Sequence, residues 1–240
     1  MFSHTNDGFR VRLSDLCFAV PENDRHVDML RPSMSSGIPH QYLKYRLESQ
    51  IDFSRVRGWL AQCDKGHASR CLQNRPGRLV DFFPGVEVLR SVDVERGCLV
   101  EMTEVVPYIA LSYVWGTVWS TRGVRTTKRN KASLMRPRSL FNMESSLPLT
   151  ISDAIALSRS LGIRYLWVDA LCLVQNDAED VRKGVEVMDS IYEMSWLTVV
   201  AACGHDANAG LPGVRPGFRA EKELVTKICQ GIKMGLCAQG

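Results

Sequence analysis

What the 240-residue sequence lacks limits it first. No apolar run approaches the roughly 18 residues needed to span a bilayer. The opening MFSHTNDGFRVRL shows no positively charged start leading into an apolar stretch, so the chain is expected to be intracellular and cytoplasmic. The signatures GxSxG, HExxH and the phosphate-binding P-loop are missing, which removes the chemistries that depend on them. Eight cysteines, Cys17, Cys63, Cys71, Cys98, Cys172, Cys203, Cys229 and Cys237, are scattered without the spacing of a disulfide framework and are expected to be reduced. Acidic residues are absent from the whole stretch between Glu104 and Glu144.

What is present is ordinary for a globular chain: 45% hydrophobic, 23% charged and a net charge of +4. That mild basicity permits an anionic partner without requiring one. The stretch RYLWVDALC, Arg164 to Cys172, organises the rest. Tyr165 to Val168 form a short aromatic and β-branched run, read as a buried parallel strand, and Asp169 ends it. An acid at that end is costly unless hydrogen-bonded or used, and ligands of open α/β sheets bind at the carboxyl edge.

Upstream, LPLTISDAIALSRSLG predicts an amphipathic helix with Thr150 as N-cap, Asp153 in its first turn and Gly162 as its stop. Downstream, Asn176 to Glu179 predict a polar turn or helix start, and Val181, Val185, Met188 and Tyr192 recur at helical spacing before a strand at Leu197 to Ala202. The segment VVPYIALSYVWG gives another strand that breaks at Trp115–Gly116. This alternation predicts an α/β core, a mostly parallel sheet flanked by helices, with a small N-terminal α+β extension.

The expected divisions are an irregular extension over 1–50, with one helix near Gln41 to Glu48, and a lead-in of helix and short strands over 51–104. The core follows at 105–217 and a divergent tail at 218–240. In the lead-in, Arg78 to Val94 predict two strands about a Pro84–Gly85 turn, an antiparallel appendage to the main sheet.

Three constellations carry candidate chemistry. Cys63, His67 and Cys71 fall at four-residue intervals and could bind zinc, with Cys98 as a fourth ligand; the alternative is a helix face packed on the core. Arg122, Arg125, Lys128, Arg129, Lys131, Arg136 and Arg138 make the acid-free stretch a basic insert, suited to a phosphate or an acidic protein surface, or else a solvated loop. Nucleic acid is disfavoured because no base-stacking aromatics interleave with the basic residues. Ser112, Trp115, Gly116, Asp169, His205 and Asp206 all lie at expected carboxyl ends of strands. The His205–Asp206 pair could do acid–base work or simply fix its loop through Asx turns.

Taken together, YIALSYVWG, LPLTISDAIALSRSLGIRYLWVDALCLVQNDAED and MDSIYEMSWLTVVAACGHDANAGLPGV resemble the fungal heterokaryon incompatibility (HET) domain, over roughly Tyr108 to Val214. The resemblance implies a fungal protein that triggers programmed cell death after fusion of genetically unlike cells, acting in allorecognition through self-association or a protein partner. It also implies a distantly TIR-like, flavodoxin-like fold, and TIR domains in some cases cleave NAD. The sequence departs from the family at one telling place. On the pattern DWxxEIxxMxxIY, Val181 stands at the aromatic position and Gly184 at the acid or amide. A NAD-cleaving site would need that carboxylate to stabilise a ribosyl cation. Glu186 lies two residues on, about 200° round the helix, and does not replace it.

Overall fold

The computed structural model describes residues 27–30, 41–46, 49–66, 77–116, 123–219, 223–229 and 232–236. The chain divides into two compact units, one built on Asp52–Leu211 and one combining segments that precede and follow it in sequence.

The second unit carries a four-stranded antiparallel sheet. Strands β1 (Val27–Leu30) and β2 (Gln41–Arg46) pair with each other, and β2 pairs with β8 (Glu223–Cys229), which pairs with β9 (Ile232–Leu236). The helix expected near Gln41 is therefore a strand. QYLKYR alternates apolar and polar residues with period two over its Leu43 and Tyr45 positions, and six residues are too few to establish a helical period.

In the main unit, α1 (Phe53–Gly66) forms where expected. Asp52 precedes it and accepts from the N–H groups of Ser54 and Arg55 at 2.9 and 3.1 Å. The first expected lead-in strand is instead a single helical turn, α2 (Leu79–Phe82), because the Asp81 carboxylate reaches back to the Arg78 N–H and closes the turn. The Pro84–Gly85 turn then leads into β3 (Leu89–Asp93), which forms a hairpin with β4 (Cys98–Met102). This hairpin is no appendage, because β3 pairs antiparallel with β6 (Tyr165–Trp167).

The remaining strands, β5 (Tyr108–Ser112) and β7 (Leu197–Val200), complete a five-stranded mixed sheet in the order β4-β3-β6-β5-β7. Three of its strands are parallel, with β5 in the middle. From β5 the chain passes through α3 (Lys131–Leu134), a 3-10 segment at Phe141–Ser146 and α4 (Leu149–Leu161) to reach β6. It then runs through α5 (Asp169–Cys172), α6 (Ala178–Glu186) and α7 (Met188–Glu193) and crosses to the opposite side of β5 to make β7. Right-handed crossovers taken in opposite directions put α4 and α7 on opposite faces. Strand alternation divides the core accordingly. Tyr108, Ala110 and Trp167 pack with Val187, Ile191 and Met194 on one face, while Ile109, Leu111 and Leu166 face the other way.

Two details of the crossovers differ from the periodicity. Helix α6 ends at Val187 (φ −113°, ψ 11°), so the apolar stripe is shifted: Gly184, Val187 and Ile191 are buried while Val185 is 58% exposed. At α4, Gly162 does end the helix in the left-handed conformation (φ 78°), but Thr150 is not its N-cap. The first amides of α4 are satisfied by another loop: Leu149 N–H donates to Asn208 Oδ1 and Thr150 N–H to the Ala207 carbonyl. Thr150 Oγ1 and Asp153 Oδ2 in turn accept from the Gly210 and Leu211 amides at 3.1 and 2.8 Å. The polar residues expected to start a helix thus tie the loop after β7 to it.

Among the described residues no helix is long and apolar enough to cross a membrane.

Candidate functional site

Because β6 and β7 flank β5 on opposite sides, the chain order reverses at β5. The loops leaving the carboxyl ends of the three parallel strands diverge there, which is where open α/β sheets hold ligands. Those ends carry Ser112 to Gly116, Asp169, and Ala201 to Asp206.

Asp169 is held at this edge by neutral donors. Its Oδ1 accepts from the Ala170 N–H at 2.7 Å and its Oδ2 from the Trp115 indole Nε1 at 2.8 Å. The Tyr113 hydroxyl is buried beside the same carboxyl and lowers its pKa, yet forms no hydrogen bond of good geometry. Among the described residues no lysine, arginine or histidine pairs with Asp169, and burial pushes its carboxyl above the usual range despite these donors. Tyr192, from α7, completes the cluster. It is close enough for the Asp169 charge to help raise its phenol, second to its own burial, and its hydroxyl lies near Ser112. Its ring stands edge-on to Trp167 at 5.7 Å, a contact that fixes α7 over the sheet. The fold therefore brings Ser112, Trp115 and Asp169 into one cluster and adds Tyr113 and Tyr192, which the sequence reading missed. Only the position of Tyr113 between Ser112 and Trp115 could have signalled either.

Gly116 links this cluster to the loop after β7. Its φ is +64°, and a Cβ there would sit 2.7 Å from the Asp206 Cα and 2.8 Å from the His205 carbonyl oxygen. The Ala207 N–H donates to the Trp115 carbonyl at 3.3 Å, so the two loops are closed together. Asp206 Oδ1 accepts from Asn208 N–H at 2.8 Å, an Asx turn. His205 is exposed, and neither it nor Asp206 hydrogen-bonds with Asp169 or with the other's side chain. The pair thus stands beside the Trp115–Gly116 corner as a loop anchor, with the exposed His205 imidazole at the rim.

The basic insert is fastened to the same edge. Thr126 N–H donates to the Ala170 carbonyl, Thr126 Oγ1 to the Leu171 carbonyl at 2.5 Å, and Gln175 N–H to the Thr126 carbonyl. Gln175 Nε2 also holds the Asp169 carbonyl at 2.9 Å. Lys128 pairs with Asp177 and Lys131 with Glu101, whereas Arg125, Arg129 and Arg136 are exposed and form no ion pair among the described residues. The insert is a packed platform from residue 123 onward rather than a loosely solvated loop; Arg122 lies outside the described residues.

At the position where the family pattern has an acid or amide, Gly184 is buried, and a Cβ would come within 2.9 Å of Leu173 Cδ1. Leu173 fills the space that a longer side chain would need. Of the expected zinc ligands, His67 and Cys71 lie outside the described residues. Cys63 is half-buried on α1 and Cys98 fully buried in β4, and among the described residues no three potential ligands cluster.

The architecture and its carboxyl-edge cluster define an α/β domain in which a mixed five-stranded sheet is flanked by helices. The family model for the heterokaryon incompatibility protein (HET) matches residues 108–233, more than half of the sequence, and the chain belongs to that family. It is 35% identical over 95 residues to the heterokaryon incompatibility protein 6, OR allele, of Neurospora crassa. That alignment covers 39% of this chain and 14% of the relative's length. No solved structure matches the chain.

Proposed function

We infer that this chain is an incompatibility-type signalling domain, which promotes a cell-death response through self-association or a protein partner engaged at the carboxyl edge of its sheet. The observation that carries the reading is the Asp169 cluster. A desolvated carboxyl without a counter-charge costs stability where it stands. It sits at the reversal of strand order, inside the segment that the family model matches. The basic insert beside it, tied to this edge from residue 123 onward, supplies exposed Arg125, Arg129 and Arg136 for an acidic partner surface. Expressing the chain in a filamentous fungal host and scoring viability tests the reading. Loss of viability that disappears with Asp169→Asn at equal protein level is the expected result, and normal growth with the wild-type chain overturns it.

A NAD-cleaving enzyme is the second reading, favoured by the crevice position of Ser112, Trp115 and Asp169. Gly184, packed against Leu173, leaves no acid at the family's position on α6 to stabilise a ribosyl cation, which is why signalling ranks first. Nicotinamide release from NAD by concentrated protein decides between the two. Zinc bound through Cys63, His67 and Cys71 would concern folding rather than output, and metal analysis of protein purified without chelator tests it.

A further inference from the structure

A cavity of about 70 Å³ opens on the α4 face of the sheet, between α4, the 3-10 segment and the end of β3. It stands at the amino end of β6, where the Val94 N–H donates to the Arg164 carbonyl, away from the Asp169 cluster. Val92, Val94, Leu147 and Ile155 give it a buried apolar lining. Phe141 forms a wall that is fixed from behind. Gly97, at φ +61°, lies so close that a Cβ there would overlap the ring, and its carbonyl accepts from the Leu140 N–H at 2.8 Å. Arg159 and Glu144 line the same cavity with opposite charges. The Arg159 guanidinium lies 4.7 Å from the Phe141 ring centroid, and its Nε and Nη2 donate to the Val94 carbonyl at 2.8 and 2.6 Å. Those contacts hold the group in place and leave Nη1 unengaged among the described residues. Glu144 is exposed, and among the described residues its carboxylate has no ion pair and no hydrogen bond, with Arg159 or any other group. The Ser152 hydroxyl, a third polar group in the lining, is likewise without a partner there.

A pinned guanidinium with free N–H groups suits a carboxylate, and an unpaired carboxylate beside the same cavity suits an ammonium. A ligand of one charge would match one of these groups and oppose the other, so the pair selects a zwitterion. Size narrows the choice further. An apolar cavity of about 150 Å³ holds the six carbons of benzene, so one of about 70 Å³ takes about three carbons, an isopropyl group. We propose that this cavity binds a free α-amino acid with a small branched aliphatic side chain, valine being the match in size. Its carboxylate meets Arg159 Nη1 and the Ser152 hydroxyl, its ammonium meets Glu144, and its isopropyl group enters the apolar lining. A residue within a peptide carries neither charge on its α-carbon, which restricts the site to the free amino acid.

The test titrates the full chain with L-valine and follows the methyl resonances of Val94 and Ile155, which line the cavity, in a two-dimensional carbon–proton spectrum. Both are expected to shift saturably. Isovalerate, which lacks the ammonium, and isobutylamine, which lacks the carboxylate, should each bind about tenfold more weakly, the value of one charged hydrogen bond. Glycine should bind about fiftyfold more weakly, because three buried carbons are lost. Glu144→Gln, on the exposed rim, should weaken valine about tenfold, leave isovalerate unchanged and keep the melting temperature of the wild type. A merely structural role for Glu144 would not separate the two ligands. No saturable shift with valine, binding of isovalerate or isobutylamine as tight as that of valine, or a valine affinity untouched by Glu144→Gln overturns the proposal. The site and the carboxyl edge are independent, since neither shares a residue with the other, so each stands or falls on its own assay.

Discussion

Replacing Gly116 by alanine perturbs one backbone position on which both edge loops depend. Two costs add. A non-glycine residue at φ +64° is strained by roughly 1 kcal/mol. The new Cβ would also lie 2.7 Å from the Asp206 Cα and 2.8 Å from the His205 oxygen. Both are backbone atoms, held by the Asp206–Asn208 turn and by the Ala207–Trp115 hydrogen bond, so neither can swing aside as a flexible side chain would. Overpacking of this kind costs about 1–3 kcal/mol. The sum, about 3 kcal/mol, corresponds in a chain of this size to a melting temperature lower by about 6–12 °C. Gly162→Ala is the matched control: its φ is +78°, but a Cβ there meets nothing within 4 Å. It should cost only the strain, about 1 kcal/mol. Thermal unfolding followed by circular dichroism measures both variants. Equal losses would show that the close approach of the two loops contributes nothing, and the argument for their closure would fall.

Three further expectations follow from charged groups and the insert. Burial alone would push the Asp93 carboxyl up, but Arg164 and the N–H groups of Arg96 and Glu95 hold it below the usual range. Its folded value lies below its unfolded one, so its contribution is full above about pH 4 and fades as pH falls through the folded value. Asp93→Asn should flatten the acid limb of urea midpoints measured from pH 7 to pH 3, and an unchanged limb would refute this assignment. Arg90→Ala leaves Asp180 and the Cys172 carbonyl without their guanidinium, at a cost of about 3 kcal/mol in denaturant unfolding. Thr126→Val keeps the volume but removes the bond to the Leu171 carbonyl, at about 1 kcal/mol. It should also speed amide exchange at Gln175, whose N–H donates to the Thr126 carbonyl.

The parts of the fold that were legible in the sequence are those with a local cause. The apolar run at Tyr165–Trp167, the left-handed Gly162 and the break at Trp115–Gly116 each follow from a few adjacent residues. Thr150 and Asp153 misled because their oxygens meet the Gly210 and Leu211 amides, about 60 residues away, and no local pattern encodes that choice. Likewise LVDF is apolar enough for a strand until the Asp81 back-bond closes it into a turn. QYLKYR was too short to separate a strand from a helix. At the edge, Ser112, Trp115 and Asp169 could be placed together because parallel strands share a carboxyl end. Tyr192 could not, since its helix breaks at Val187 and reaches the edge only through its packing on Trp167.

The central claim is that Asp169 serves recognition at the cost of stability. Burial raises its folded-state carboxyl pKa above the unfolded value, so its ionisation disfavours the folded chain as pH rises through the folded value. Asp169→Asn removes that charge and keeps one of the two acceptor oxygens, so the lost hydrogen bond to the Trp115 indole or the Ala170 N–H is offset by the relief of burying the charge. At pH 7 the variant should melt within about 2 °C of wild type, or slightly higher. In the fungal host, at matched protein level, it should abolish the death response. A strongly destabilised variant, whose response falls only in proportion to the protein lost, would contradict the account.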